Sequence, residues 1–93
     1  MRTNILLLEK GCQKCAMVRV HCDFSKFEDD TFIPKNEEKI LLFFSSSAEG
    51  TKKFSEQFVI TSVAPILKTS EGKEITEIDE ILSFLGASGY WKS

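Results

Sequence analysis

The sequence predicts an α/β domain: a four-stranded mixed sheet flanked by three helices, in the order β-α-β-α-β-β-α. Three observations carry that expectation. Two short apolar runs, residues 4–8 and 40–44, have the length and flanks of strands buried on both faces. Apolar residues recur at helical spacing after each run. Near the end, residues 65–69 and 74–76 flank Ser70-Glu71-Gly72-Lys73, a hairpin signal in which Gly72 supplies the positive φ that the turn demands. Strands separated by a helix imply a right-handed parallel crossover, and the closing hairpin adds an antiparallel pair.

The elements follow in order. Gly11 breaks the first run directly before Cys12. From Cys15 to about Phe27, Met17, Val20, Phe24 and Phe27 form an apolar stripe at helical spacing, with Val18 and Cys22 beside it. Residues 28–39 are polar, contain Pro34 and read as a loop, in which Thr31-Phe32-Ile33 can add a short strand. After the second apolar run, Ser46 and Glu49 have the spacing of a capping box, each side chain satisfying the other's free amide. A helix over residues 48–58 follows, with Phe54 and Phe58 four apart on one face and Gly50 weakening it slightly. Residues 59–65 read as extended, because Pro65 excludes Ala64 from helical geometry. Ile78, Ile81, Leu82 and Leu85 mark the last helix, with Asp79 and Glu80 in its first turn and Gly86 as its stop. Tyr90 and Trp91 are expected to pack back on the domain.

Composition narrows the function classes. A chain of 93 residues holds a single domain, 1–93. Its 42% hydrophobic and 28% charged residues suit a globular protein and are too apolar for a disordered one. Twelve basic against fourteen acidic residues give a net charge of -2, so no basic face argues for nucleic acid. Only residues 5–8 are apolar at the N-terminus before charges arrive, too short a run for a signal peptide or a membrane helix. The expectation is a cytoplasmic, reducing setting with no membrane partner. Three cysteines are too few, and odd in number, for a secreted disulfide scaffold. Cys12 and Cys15 are instead a C-x-x-C pair of redox-active or metal-binding kind.

The pair falls where a strand ends and a helix begins. A thiol must ionise to attack a disulfide, and the unpaired amides and dipole of a helix N-terminus favour an anion there. Lys10 and Lys14 add positive charge near Cys12. Cys15 lies one turn further on and is the more buried of the two, placed to attack a mixed disulfide on Cys12. Two intervening residues bring the sulfurs within bonding reach. A zinc site from Cys12, Cys15, His21 and Cys22 is the metal alternative. Adjacent His21 and Cys22 diverge by about 100° on a helix, so the four do not converge and no metal is expected. His21 reads as an exposed helix residue and Cys22 as small apolar core or a further disulfide partner.

With these residues in place, the chain resembles the glutaredoxin group of the thioredoxin-like fold over most of its length. The resemblance rests on Cys12-Gln13-Lys14-Cys15 after the first strand, on Ser62-Val63-Ala64-Pro65 before the third, and on Ile75-Thr76-Glu77-Ile78-Asp79-Glu80-Ile81 at the final strand and helix start. Eleven residues before Cys12 leave no room for the extra N-terminal unit of full thioredoxins, which points to the smaller core. The resemblance implies a cis peptide before Pro65 and a role for Ala64, with Val63 beside it, in pairing its backbone with the substrate's cysteine segment. It implies that Lys10 meets a glutathione carboxylate and that Asp79 meets the glutathione amino group. From the residues alone, Asp79 is also an ordinary N-cap or first-turn acid.

The sequence departs from the family pattern between the two cysteines, near the last helix and in a long loop before the second strand. Gln13-Lys14 lacks the aromatic that packs on glutathione, and Thr76-Glu77 stands where the family has two glycines, with Glu77 opposing glutathione's carboxylates. Weak activity with glutathione follows as an expectation. Related small proteins that reduce ribonucleotide reductase and draw on thioredoxin reductase share that trait. The resemblance therefore implies a monomeric dithiol–disulfide oxidoreductase with no bound cofactor. Its client is a protein disulfide, ribonucleotide reductase among the possibilities, and its reductant is glutathione or a thioredoxin reductase. The alternatives are a binding or adaptor domain with vestigial thiols and an iron–sulfur or zinc carrier.

Overall fold

The computed structural model describes residues 2–28, 31–35, 38–61 and 63–92; Asp29, Asp30, Asn36 and Glu37 of the predicted loop, and Ser62, lie outside the described residues. In chain order the elements are β1 Arg2–Glu9, α1 Gln13–His21, α2 Ser25–Glu28, β2 Glu38–Ser45, α3 Ala48–Phe58, β3 Ile66–Lys68, β4 Glu74–Ile75 and α4 Ile78–Ala87. The sheet order is β2-β1-β3-β4. β2 runs parallel to β1, with Leu6 opposite Leu42. β3 is antiparallel to β1, and β4 to β3. Thr31-Phe32-Ile33 adds no strand.

β1 is the centre of the molecule because both its faces are apolar. Leu6 and Leu8 join Val18 of α1, Ile40 of β2, Leu67 of β3 and Ile81 and Leu85 of α4 in one core. Leu7 points the other way, into a second core with Phe54 of α3, Ile60 and Ile66. Strand alternation produces this split, and α1 and α4 thus share one sheet face while α3 covers the other. Each fully buried leucine stabilises the fold by roughly 1.5–3 kcal/mol. On the α3 side the Phe43 and Phe54 rings stack with centroids 4.0 Å apart, and Phe54 meets Phe58 at 4.6 Å.

Asn4 is the polar exception in β1. It is fully buried, yet its amide donates to Glu38 Oε2 at 3.3 Å and Lys39 O at 3.4 Å, and its Oδ1 accepts the Ser70 amide at 2.9 Å. The side chain clasps the start of β2 to the β3–β4 turn, so its burial costs little.

Four helices are present among the described residues, one more than expected, because the segment after Cys15 is not a single helix. Cys22 is extended (φ -104°, ψ 144°) and ends α1, its N–H still bonded to Val18 O at 3.1 Å. The Asp23 carboxylate then accepts the Ser25 amide at 3.1 Å and hydroxyl at 2.6 Å, starting α2 afresh. The buried face of α1 also differs from the predicted stripe. Cys15 and Val18 are buried, followed by Cys22, whereas Met17 is 49% and Val20 66% exposed. The spacing 15, 18, 22 is itself helical, and the small cysteines fill it against the sheet.

Three smaller corrections concern helix ends. α3 begins at Ala48 as the spacing predicts, but its N-cap is Ser47, whose Oγ accepts the Gly50 amide at 3.1 Å. The reciprocal partner would be at position 50, a glycine, so the Ser46–Glu49 box does not form. At the other end Val59 takes a left-handed conformation (φ 55°), and the Lys68 ammonium donates to Phe58 O at 3.0 Å and Val59 O at 2.8 Å. Gly86 does not stop α4, which continues to Ala87. Gly86 leaves space for Trp91 instead: a Cβ there would come within 2.5 Å of indole Cε2. Trp91 Nε1 donates to Leu82 O at 2.7 Å, and the buried Tyr90 ring stacks on Phe27 at 4.5 Å, so both aromatics pack back on the domain. No helix among the described residues is long and apolar enough to cross a membrane.

Candidate functional site

The site is assembled where β1 ends. Gly11, with φ 84°, lets the chain leave the strand and turn into α1. Cys12 is the N-cap of that helix, in extended geometry (φ -90°, ψ 121°). Its sulfur accepts the Cys15 amide at 3.2 Å, the position that serine or aspartate oxygen takes at other helix starts. Cys12 is half-buried, and both Cys12 and Cys15 are free thiols.

Cys15 faces inward and is 1% exposed. Its sulfur accepts the Glu9 amide at 3.4 Å. Burial pushes its thiol up from the ordinary 9.0 to about 12, helped by its hydrogen bond to Cys12 and by the charges of Cys12 and Glu9, and opposed by the Glu9 amide. Neutral Cys15 is thus strongly preferred while Cys12 stands beside it as a free group.

Across from the pair, the chain before β3 closes in. The Ala64–Pro65 peptide is cis. The Cys12 thiol points to Ala64 O at 3.9 Å, a contact between residues 52 apart in sequence. Lys14, Val63, Ala64, Pro65, Thr76 and Glu77 line a groove of about 390 Å³ beside it. A smaller hollow of about 220 Å³ lies on the other flank, lined by Glu9, Gly11, Cys12, Gln13, Ala16 and Arg19. Val63 is 83% exposed on the groove rim.

Cys12, Cys15, Val63, Ala64 and Pro65 are therefore brought together. Lys10 and Asp79 are placed differently. Lys10 is exposed in the turn before Gly11, its amide bonded to Ser45 O at 2.9 Å, and it lines neither hollow. Asp79 is exposed in the first turn of α4 and lines a separate depression with Ile75, Glu80, Ser83 and Phe84. The N-cap of α4 is Glu77, whose side chain makes no capping hydrogen bond. Lys14, expected as a positive charge near Cys12, and Thr76 and Glu77, expected as a departure from the family's two glycines, form the groove walls. Their signal in the sequence is position alone: Lys14 inside the C-x-x-C pair, Thr76-Glu77 in the link from β4 to α4.

Comparison with protein-family models, with curated proteins and with solved structures finds no match.

His21 is exposed, while Cys22 is fully buried against the α1–α4 core and bridges to Trp91. Burial raises the Cys22 thiol to about 11, with Lys92 pulling it partly back. Among the described residues no three His, Cys, Asp or Glu side chains are grouped to hold a metal ion. What remains is a half-exposed thiol on a helix N-cap, a buried thiol one turn behind it, and a backbone segment facing the first sulfur across an open groove.

Proposed function

We propose that the chain is a thioredoxin-like domain of the glutaredoxin type that works as a dithiol–disulfide oxidoreductase. The observation that carries this reading is the Cys12 sulfur, capped by the Cys15 amide and set 3.9 Å from Ala64 O at the edge of the groove. A client disulfide enters the groove, with its cysteine segment lying along Val63 and Ala64 beside Pro65. The Cys12 thiolate attacks one client sulfur, forming a mixed disulfide and releasing the other client sulfur as thiolate.

Cys15 completes the exchange. Part of what holds its thiol near 12 comes from Cys12 itself, and this part disappears once Cys12 is in a neutral mixed disulfide. The departing client thiolate takes the Cys15 proton. Cys15 sulfur then attacks the Cys12 sulfur, closing the Cys12–Cys15 disulfide and releasing the second client sulfur as a thiolate. Two electrons have passed to the client, with one proton from Cys15 and one from water, which had received the proton that Cys12 lost on ionising. Glutathione or a thioredoxin reductase returns them, with no cofactor bound to the domain. The client is a cytoplasmic protein disulfide, such as that of a ribonucleotide reductase, and the domain acts as a monomer. Glu77 on the groove wall disfavours glutathione, so a reductase is the better reductant.

Turnover tests this directly. With dithiothreitol or a thioredoxin reductase as electron source, the wild type reduces a protein disulfide and Cys12→Ser does not. Equal rates for the two would overturn the assignment.

A further inference from the structure

The groove beside Cys12 runs between walls of opposite charge. α1 has no acidic residue in its first turn, and it presents Lys14 to the groove. The opposite wall is Thr76 and Glu77, which carry the chain from β4 into α4. Glu77 is exposed and unused in capping, so its carboxylate is available to a ligand. The helix behind it, Ile78–Ala87, contains no basic residue, and Asp79 and Glu80 extend the negative side beyond the groove. Between Lys14 and Glu77 run Val63, Ala64 and Pro65, an apolar stretch whose backbone can pair with an extended segment. The groove is continuous with the proposed reaction centre through Ala64, whose carbonyl meets the Cys12 thiol.

We infer that Glu77 sets client specificity: the groove takes an extended polypeptide whose reactive cysteine is flanked by a basic residue, set against Glu77, in preference to acidic disulfides. This inference rests on the proposed dithiol exchange. A cation on the client's flank meets Glu77 with Asp79 and Glu80 behind it, whereas an anion there meets the same field as repulsion. Lys14 faces the opposite side of the segment and favours an acidic or neutral residue on the client's other flank. Rim charges of this kind act mainly on the encounter rate, and salt weakens them.

The test uses two peptide mixed disulfides of equal length that differ only in a lysine or a glutamate beside the cysteine. The quantity read is the ratio of their kcat/KM values. For the wild type we expect the lysine peptide to be preferred on the order of tenfold at low salt, with the ratio shrinking towards one at high salt. Glu77→Gln should bring the ratio close to one, and Glu77→Lys should invert it. A wild type that reduces both peptides at the same rate overturns the inference and leaves dithiol exchange standing. A preference that survives unchanged in Glu77→Gln and Glu77→Lys also overturns it. Failure to reduce either peptide or any protein disulfide, with Cys12→Ser indistinguishable, removes the redox assignment and the inference with it.

Discussion

Cys12 and Cys15 are one helical turn apart, yet their surroundings separate their chemistry. Cys12 is half-open on the N-cap, while Cys15 is 1% exposed with its thiol pushed up to about 12. Iodoacetamide near neutral pH should therefore label Cys12 at least about a hundredfold faster than Cys15, read by mass spectrometry of timed digests. Similar rates would show that burial does not separate the two thiols. Cys15→Ser should retain the attack by Cys12 and lose the release step, leaving a mixed disulfide visible as a mass adduct. Asn4 makes the corresponding point about structure. Asn4→Ala would strip the Ser70 amide and the Glu38 and Lys39 groups of their shared partner, a loss of about 2 kcal/mol in denaturant unfolding. The pairing of Cys12 with Cys15 was legible from spacing; the clasp made by Asn4 was not, because its partners lie 34, 35 and 66 residues away.

At the scale of elements, the interiors of β1, β2 and α3 followed their own sequence, whereas the face of α1 and several helix ends depended on neighbours. Gly86 shows why. As a residue of an exposed helix it would be about 1 kcal/mol better as alanine. The indole of Trp91 occupies the space of that methyl group. Gly86→Ala should therefore displace Trp91 from its bond to Leu82 O, with a net loss of roughly 1 kcal/mol. The chain has one tryptophan, so a red shift of its emission reports the displacement. In a Trp91→Ala background the same Gly86→Ala change should be stabilising instead. Val59 offers the opposite case. It is a β-branched residue at φ 55°, 70% exposed, with little packing to lose. Val59→Gly should stabilise the domain by about 1 kcal/mol, a rise of roughly 4–8 °C in Tm.

For the whole molecule, the buried thiols make stability depend on alkaline pH. Cys15 and Cys22 rise from 9.0 to about 12 and about 11 on folding, both chiefly by burial. A raised thiol binds its proton more tightly in the folded state. Its contribution is complete below about 9 and is lost as pH climbs through the folded values, once the unfolded chain gains by ionising. Denaturant midpoints should hold up to about pH 9 and then fall towards pH 11. Cys22→Ala should lower stability throughout and flatten that fall, and an unchanged slope would count against Cys22 as its source.

The sequence by itself determined the two parallel strands, α3 with both its bounds, the hairpin with Gly72 (φ 90°) in its turn, and the C-x-x-C pair at a helix start. These are local matters: apolar periodicity, turn chemistry and capping act over a few residues. Tertiary structure alone decided which face of α1 turns inward, since Met17 and Val20 are as apolar as the residues that displace them. It also decided that α1 stops at His21, where the Cys22–Trp91 bridge joins distant parts of the chain. The groove belongs to the same class. Its walls come from α1, from the segment before β3 and from the β4–α4 link, and only the sheet order β2-β1-β3-β4 sets Lys14 and Glu77 along one cleft beside Cys12. Periodicity specifies a residue's neighbours along the chain, whereas a site depends on neighbours across it, which packing selects.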